Sequence, residues 1–360
     1  MNPDTADSCA LSHLTAGDVM KTSIHLFILC ALALMILSPC GHAEIIKKGQ
    51  VGFRFLENPV SAEAIGRGGL GLVTLRNSNT LFWNPAGLGW LEGKYDFNIN
   101  YTRGIADINH SALAGAIQLG SFGVIGLDAL IMDYGDFYGT RRAANELGFE
   151  ETGAFSPQSY AIGLAFSQRV SDRFSYGVHV KYAHQDLGSA WIGVTGSDVD
   201  DPAMTMEEKS YALSEPAIDI GAIYDFRLYN IRFGAAMQNF SREIKYEEAK
   251  FPLPYAVSFS LSFDPLSIWL GDENEHKMTA GFETRHPRDF KEKAKYGIEY
   301  AYREQFLLRA GYMGNYDQRG LTLGFGVRQP LGASRLRIDY AFQDFGLFKS
   351  VHTFSFGMSY

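Results

Sequence analysis

Thr353-Phe354-Ser355-Phe356-Gly357-Met358-Ser359-Tyr360 alternates without a break: Phe354, Phe356, Met358 and Tyr360 fall on one face of a strand, Ser355, Gly357 and Ser359 on the other. Period-2 alternation is the mark of a β-strand whose two sides meet different surroundings. The same pattern recurs upstream in Tyr296, Ile298, Tyr300 and Tyr302, in Leu321, Leu323, Phe325 and Val327, and in Leu336, Ile338, Tyr340 and Phe342. The opposite faces carry Gly297, Glu299, Thr322, Gly324, Gly326, Arg328, Arg337 and Asp339. A row of such strands, each with one oily side and one small or charged side, predicts a transmembrane antiparallel β-barrel with lipid outside and a polar lumen inside.

The N-terminal region supports export. Lys21 precedes an apolar stretch from Ile24 to Leu37, and Gly41-His42-Ala43 supplies the small residues of a signal-peptide cleavage site, which places the cut before Glu44. The run is about 14 residues, short of the roughly 20 of a spanning helix. Asp4, Asp7 and Asp18 form an acidic lead-in unlike a signal peptide, so Met20 is the expected start of a Sec-type leader. Cys9, Cys30 and Cys40 all precede the cut, so neither disulfides nor thiolate metal sites are expected in the mature chain. Losing Asp4, Asp7, Asp18 and Lys21 takes the net charge from −8 to −6. That mild acidity, without a basic stripe, argues against nucleic acid as a partner. Aromatic residues at 14% and 38 glycines suit a barrel with aromatic girdles and a small-residue lumen. A soluble secreted β-sandwich also alternates, but its outer faces carry more Thr, Lys and Glu than these do.

Fourteen strands are expected, near 95–103, 111–119, 122–133, 158–169, 174–186, 214–226, 230–240, 254–264, 277–284, 294–303, 306–313, 320–328, 335–343 and 351–360. Their connections tend to alternate between tight turns (Gly120-Ser121, Val170 to Arg173, Arg227 to Tyr229, Glu304-Gln305) and longer loops (Tyr134 to Pro157, Leu187 to Tyr211, Ser241 to Leu253). Outer-membrane barrels sort their loops in this way, with short turns in the periplasm. The connection from Pro265 to His276 is long for a periplasmic turn.

Residues 44–94 do not read as strands. They contain Ser61-Ala62-Glu63-Ala64-Ile65-Gly66-Arg67-Gly68-Gly69-Leu70-Gly71 and Asn79-Thr80-Leu81-Phe82-Trp83-Asn84-Pro85-Ala86-Gly87-Leu88. This stretch resembles the N-terminal hatch of FadL-like outer-membrane proteins, and more closely that of the PorV/PorQ family. The resemblance extends to Asp133-Tyr134-Gly135-Asp136, Leu253-Pro254, Leu308-Arg309-Ala310-Gly311-Tyr312 and Arg337-Ile338-Asp339-Tyr340-Ala341-Phe342. It implies a fourteen-stranded barrel in the outer membrane of a Gram-negative type of cell, with residues 44–94 as a hatch and 95–360 as the barrel. Its members either pass hydrophobic or amphipathic molecules or assist type IX protein secretion at the cell surface. The expected partners are outer-membrane lipid, the barrel assembly machinery through the strand ending at Tyr360, and a hydrophobic ligand or type IX components.

Physical chemistry reads the hatch independently. Proline lacks an N–H and holds Asn84 out of helix, so Asn84, Pro85, Ala86 and Gly87 should bend sharply. Gly66, Gly68 and Gly69 should let backbone approach the wall. On the lumen faces Asp219, Glu299, Arg309, Arg328, Arg337 and Asp339 form an expected charge network, because an isolated buried charge costs several kcal/mol. No catalytic residues, metal or cofactor are expected. Gly66 to Gly71 matches a dinucleotide fingerprint without the strand–helix context that the chemistry needs. Asp198, Asp200, Asp201, Glu207 and Glu208 lack the spacing of a calcium loop. His179 shares the lumen face with Ser175, but no sequence signature adds an orienting group or an oxyanion donor, and it reads as a lining residue.

Overall fold

The computed structural model describes residues 49–143, 145–195, 205–270 and 275–360. The leader, its cleavage site, all three cysteines and Asp198, Asp200 and Asp201 lie outside the described residues.

Fourteen antiparallel strands close on themselves. They are β1 Tyr95–Arg103, β2 Asn109–Gln118, β3 Val124–Asp133, β4 Gln158–Arg169, β5 Phe174–Thr195, β6 Thr205–Asp225 and β7 Arg232–Phe240, then β8 Ala256–Phe263, β9 His276–Pro287, β10 Lys293–Tyr302, β11 Phe306–Gly314, β12 Leu321–Leu331, β13 Ser334–Asp344 and β14 Ser350–Ser359. Each pairs with its sequence neighbours, and β14 pairs with β1 from Asp96↔Ser359 to Arg103↔His352. Beyond the last pair, the Tyr360 carbonyl accepts from the amides of Lys94 and Tyr95, at 2.5 and 2.9 Å. One closed sheet leaves no edge strand and excludes the two-sheet sandwich.

Alternation falls where the sequence puts it. On β1, Tyr95, Phe97, Ile99 and Tyr101 face out and Asp96, Asn98, Asn100 and Thr102 are buried inside. On β14, Phe354, Phe356 and Met358 remain about half exposed while Thr353 and Ser355 are buried. Water would not tolerate this exterior; hydrocarbon would, because every backbone group of the wall can be paired within the sheet.

The connections sort by end. Tight turns after β2, β4, β6, β10 and β12 lie at the end that holds Tyr95 and Tyr360, together with a short helix, α2 Pro265–Leu270, between β8 and β9. The opposite, loop end carries an extra hairpin, Phe137–Arg142 with Phe149–Phe155, and a small one, Ile244–Lys245 with Lys250–Phe251. The expected loop from Leu187 to Tyr211 is largely strand instead: β5 and β6 pair on from Ser189↔Ser210 to Thr195↔Thr205. Trp191, Ile192, Val194 and Thr195 are strand formers, and a hairpin wetted on both faces needs no apolar stripe to pair.

Between residues 49 and 94 the chain forms short helical turns and no strand, with residues 60–73 and 77–81 buried except at positions 74 and 76 between them. Helix α1, Ala62–Gly66, starts where the Ala62 amide donates to Ser355 Oγ on β14 at 2.9 Å, since its own N-cap Ser61 makes no capping bond and its hydroxyl instead accepts from Asn79 Nδ2 at 3.3 Å. It stops at Gly68 and Gly69, whose φ of +71° and +78° form a left-handed C-cap with Gly69 N donating to Ala64 O at 2.9 Å. A turn of 3-10 helix at Pro85–Trp90 begins with Asn84 extended at φ −152°, its side chain capping the Ala86 amide, and with Pro85 at the first helical position.

Candidate functional site

The lumen is filled in layers, and glycine decides how closely the hatch and wall meet. Gly297 on β10 pairs with Gly311 on β11, and Gly324 on β12 lies beside them, so three adjoining strands present bare backbone inward. A Cβ on Gly297 would stand 2.1 Å from Arg67 O, and one on Gly311 2.1 Å from Gly68 N. Gly66 meets Gly324 backbone to backbone. Thr322 Oγ1 accepts from Gly68 N at 2.9 Å and donates to Gly66 O at 3.2 Å, which satisfies both polar groups of the buried hatch backbone. A second seat holds the Asn-Pro-Ala turn. Asn84 is fully buried, donates to Leu72 O and to Ala222 O, and lies where a side chain on Gly221 would be; Pro85 and Ala86 occupy the place of a side chain on Gly177. Gly87 in turn leaves room for Thr80, whose hydroxyl donates to Asn84 O.

Beside the glycine seat runs a layer of paired charges. Arg309 donates to Glu299 at 2.5 Å and to Asp339 at 2.6 Å, with its side chain wholly buried. Arg67 of the hatch bridges Glu299 and Glu63 at 3.1 Å each. Glu63 also receives Arg328 at 3.3 Å and Asn77 Nδ2 at 2.8 Å, and Arg337 pairs with Asp96 at 2.6 Å. Burial works against the Glu63 charge, but the Arg67 and Arg328 guanidiniums prevail and hold its carboxyl well below the usual carboxylate range.

Glu299, Arg309 and Asp339 are thus brought together, Arg328 joins them through Glu63 and Arg67, and Arg337 pairs with Asp96. Asp219 is not part of that layer, which corrects the expectation of a single network. It sits on β6, across the barrel, with His179 Nδ1 at 3.0 Å and Lys181 Nζ at 2.9 Å, and accepts from Asn239 N at 2.7 Å. His179 Nε2 lies 2.7 Å from Asp128 Oδ1. The physical reason is the sheet's circumference: β6 and β13 are seven strands apart, so lumen-facing charges on them cannot touch. Sequence reasoning missed Glu63, Arg67, Asp96 and Asp128. Ser175, instead of serving His179, accepts from Trp90 Nε1 at 2.7 Å and donates to Ala86 O at 2.9 Å.

Toward the loop end the lumen turns apolar. Phe53, Phe55, Val60 and Trp83 of the hatch pack on Ala112, Leu130, Met132, Ala161, Ala183, Ala217 and Leu253 of the wall and loops. Small wall residues leave a chamber there, and the N-terminal segment's own aromatic rings occupy it. Phe53 takes the left-handed region, at φ 54°, to reach it. That conformation costs a non-glycine residue about 1–2 kcal/mol, against roughly 1.5–3 kcal/mol from burying a phenylalanine. Burial wins by little. Below the charge layer, at the turn end, a polar cavity of about 210 Å³ is lined by Arg76, Glu92, Arg232, Lys277, Arg328 and Arg335 among others. Among the described residues no group of three or more His, Cys, Asp or Glu is arranged to hold a metal ion.

Solved structures similar in fold include barrels of transporters. The toluene transporter TodX of Pseudomonas putida aligns over 83% of this chain and 96% of its own, with a TM-score of 0.52 and 13% identity. The toluene transporter TbuX of Ralstonia pickettii covers 86% and 98%, at 0.52 and 13%. A FadL homologue of Pseudomonas aeruginosa covers 84% and 98%, at 0.50 and 11%. The fold is that of a FadL-like barrel. No protein-family profile matches the sequence, and neither does a curated protein.

Proposed function

We propose that this chain is an outer-membrane conduit for hydrophobic or amphipathic molecules, entered at the loop end and closed by a hatch of residues 49–94. The observation that carries the reading is the apolar chamber occupied by Phe53 and Phe55. A purely structural plug needs no oily compartment inside a polar lumen, whereas a pocket for an apolar ligand is lined this way. The FadL-like fold and the toluene transporters among its neighbours agree with it. An exported, leader-cleaved chain inserted through its C-terminal strand by the barrel assembly machinery completes the reading. The test is accumulation of a fluorescent hydrophobe in cells producing the protein. Uptake should exceed that of cells without it, and Phe53→Ala with Phe55→Ala should change the rate while the barrel still folds. Uptake equal to that of cells lacking the protein refutes the conduit.

A second reading, a PorV/PorQ-type accessory of type IX secretion that holds cargo at the cell surface, is supported by the height of one hairpin. β5 and β6 run 22 and 21 residues, about twice the roughly 9–11 needed to cross a bilayer. The hairpin of Phe137–Arg142 and Phe149–Phe155 packs on it, with Arg141 over the Trp191 ring at 5.3 Å. Shortening the tall hairpin to Gly188 and Tyr211 should abolish cargo retention on this reading and leave hydrophobe uptake intact.

A further inference from the structure

On the outside of the wall, beside the seam where the chain's two ends close the barrel, one position is bare. The outward residues of β14, β1, β2 and β3 line up in two rows at the turn end. Tyr360, Tyr95, Ile117 and Ile125 form the first, and Met358, Phe97, Gly115 and Leu127 the second. Gly115 alone among them lacks a side chain, and a Cβ there would meet nothing closer than 4.0 Å. The gap opens a groove of about 360 Å³ lined by these two rows. The strand pairing beneath runs unbroken through Asp96↔Ala116 and Ala116↔Gly126, so the groove is a seat on the wall and not a passage through it. Past its turn end stands Lys94, exposed, with Nζ 5.3 Å from the centre of the Tyr95 ring. The acidic residues on either side of it in the chain are taken: Glu92 pairs with Arg335 at 3.0 Å, and Asp96, on the inner face, with Arg337 at 2.6 Å. Among the described residues Lys94 itself has no ion-pair partner.

We propose that this groove seats one glycerophospholipid of the turn-end leaflet, with an acyl chain over Gly115 and the phosphate on Lys94. The gap is one side chain wide, between Phe97 and Leu127, which fits a polymethylene chain and excludes a helix of about 10 Å diameter. Leaving water contributes nothing between lipid and wall, because both are already in hydrocarbon; a seated chain is selected by dispersion contact with fixed walls on both sides. Tyr95 and Tyr360 mark the level of the membrane interface, and a lysine just beyond them meets a phosphodiester there. A chain so held touches four strands at once, two on either side of the Gly115 gap, and bridges the β14–β1 seam. The site needs only that the wall stand in a bilayer and is independent of the conduit and its hatch.

Native mass spectrometry of the full-length mature protein, released into nonionic detergent from nanodiscs containing phosphatidylethanolamine, phosphatidylglycerol and lipopolysaccharide, counts what stays bound. The wild-type protein should retain one phospholipid. Gly115→Phe, which fills the groove, should retain none, and Lys94→Gln should lower the retained fraction about fivefold, the worth of one lysine beside a lipid surface. Gly314→Phe, the same change at an outward position of β11 near the loop end, should retain the lipid as the wild type does. Added phospholipid should also raise the heat-unfolding temperature of the detergent-solubilised wild type and leave that of Gly115→Phe unchanged. If Gly115→Phe does not assemble, Lys94→Gln decides alone, since its side chain is exposed and unpaired. No lipid on the wild type, equal retention by the wild type and either groove variant, or lipopolysaccharide or a second copy of the chain retained in place of phospholipid overturns the proposal.

Discussion

Arg309→Ala tests whether the lumen layer is a charge-compensated unit. The Arg309 side chain is fully buried between Glu299 at 2.5 Å and Asp339 at 2.6 Å. Glu299 keeps Arg67 when Arg309 is removed, but Asp339 has no other cation among its described salt bridges. One carboxylate is then stranded in a filled lumen, a situation worth about 3–5 kcal/mol of destabilisation. Removing all three charges, as Arg309→Met, Glu299→Gln and Asp339→Asn together, strands none of those carboxylates. It leaves Arg67 paired with Glu63, so the loss should be smaller than that of the single change despite three substitutions. Such an inversion is what distinguishes a coupled network from independent contacts. Urea unfolding in lipid vesicles, followed by the shift between folded and unfolded bands on unheated gels, gives both values. A triple variant less stable than Arg309→Ala, or losses that simply add, would refute the reasoning.

Gly311→Ala puts a methyl group 2.1 Å from Gly68 N, with backbone on both sides, so it should unseat the hatch and raise single-channel conductance in planar bilayers; Gly314→Ala, with 3.6 Å or more of clearance, should not. Because the folded-state pKa of Glu63 is depressed, its contribution is fully present above its ordinary value of 4.5 and is lost as pH falls below that toward the folded value. Hydrogen exchange on lowering pH from 7 to 3 should therefore show amides of residues 62–70 losing protection before those of the strands; simultaneous loss counts against the Glu63 lock. Epitope tags at Lys245 should be reached on intact cells and tags at Asp172 or Leu228 should not, and labelling at Asp172 would reverse the orientation. N-terminal sequencing of the membrane-fraction protein should begin at or near Glu44.

Much of the wall was legible because a barrel strand imposes period 2, and parity alone assigns Arg309 inward and Leu308 outward. The pairing of Glu299 with Arg309 followed from parity together with strand adjacency, whereas Arg309 reaches Asp339 across β12, where Gly326 has no side chain. What parity cannot show is the surface laid against a lumen face. Glu63 and Arg67 come from the hatch, whose path has no period, so their pairing with Glu299 and Arg328 was beyond reach. The contact between His179 and Asp128 was hidden for another reason. β4 lies between their strands, and they meet across it only because Gly163 has no side chain; a Cβ there would stand 2.0 Å from His179 Nε2. The height of β5 and β6 was missed because polar residues paired in water look like loop.

On the proposed conduit reading, a hydrophobe in the upper chamber has few ways on. Register shifts in the described wall occur only between β5 and β6 and between β6 and β7. The second of these, beside Asn239 at φ 58°, is filled by Lys181 and Asp219, a poor exit for an oily chain. Descent then requires the hatch to move, and the charges are distributed so that it can. Glu63 and Arg67 leave together as a neutral pair at 3.1 Å, while the wall they vacate retains Glu299 and Asp339 against Arg309 and Arg328. Neither side is left with a net charge, so separation avoids the penalty that a hatch carrying only anions would face. What remains to be overcome includes the Gly68–Thr322 hydrogen bond, the Asn84–Ala222 and Trp90–Ser175 bonds of the second seat, the Arg67–Glu299 and Glu63–Arg328 pairs, and the apolar contact of Phe53 and Phe55. A ligand chain that takes the place of those two rings restores the buried apolar area and also releases the strained backbone at Phe53. On that reading, entry of an apolar chain would supply part of the free energy for opening, whereas water entering the same chamber would supply none.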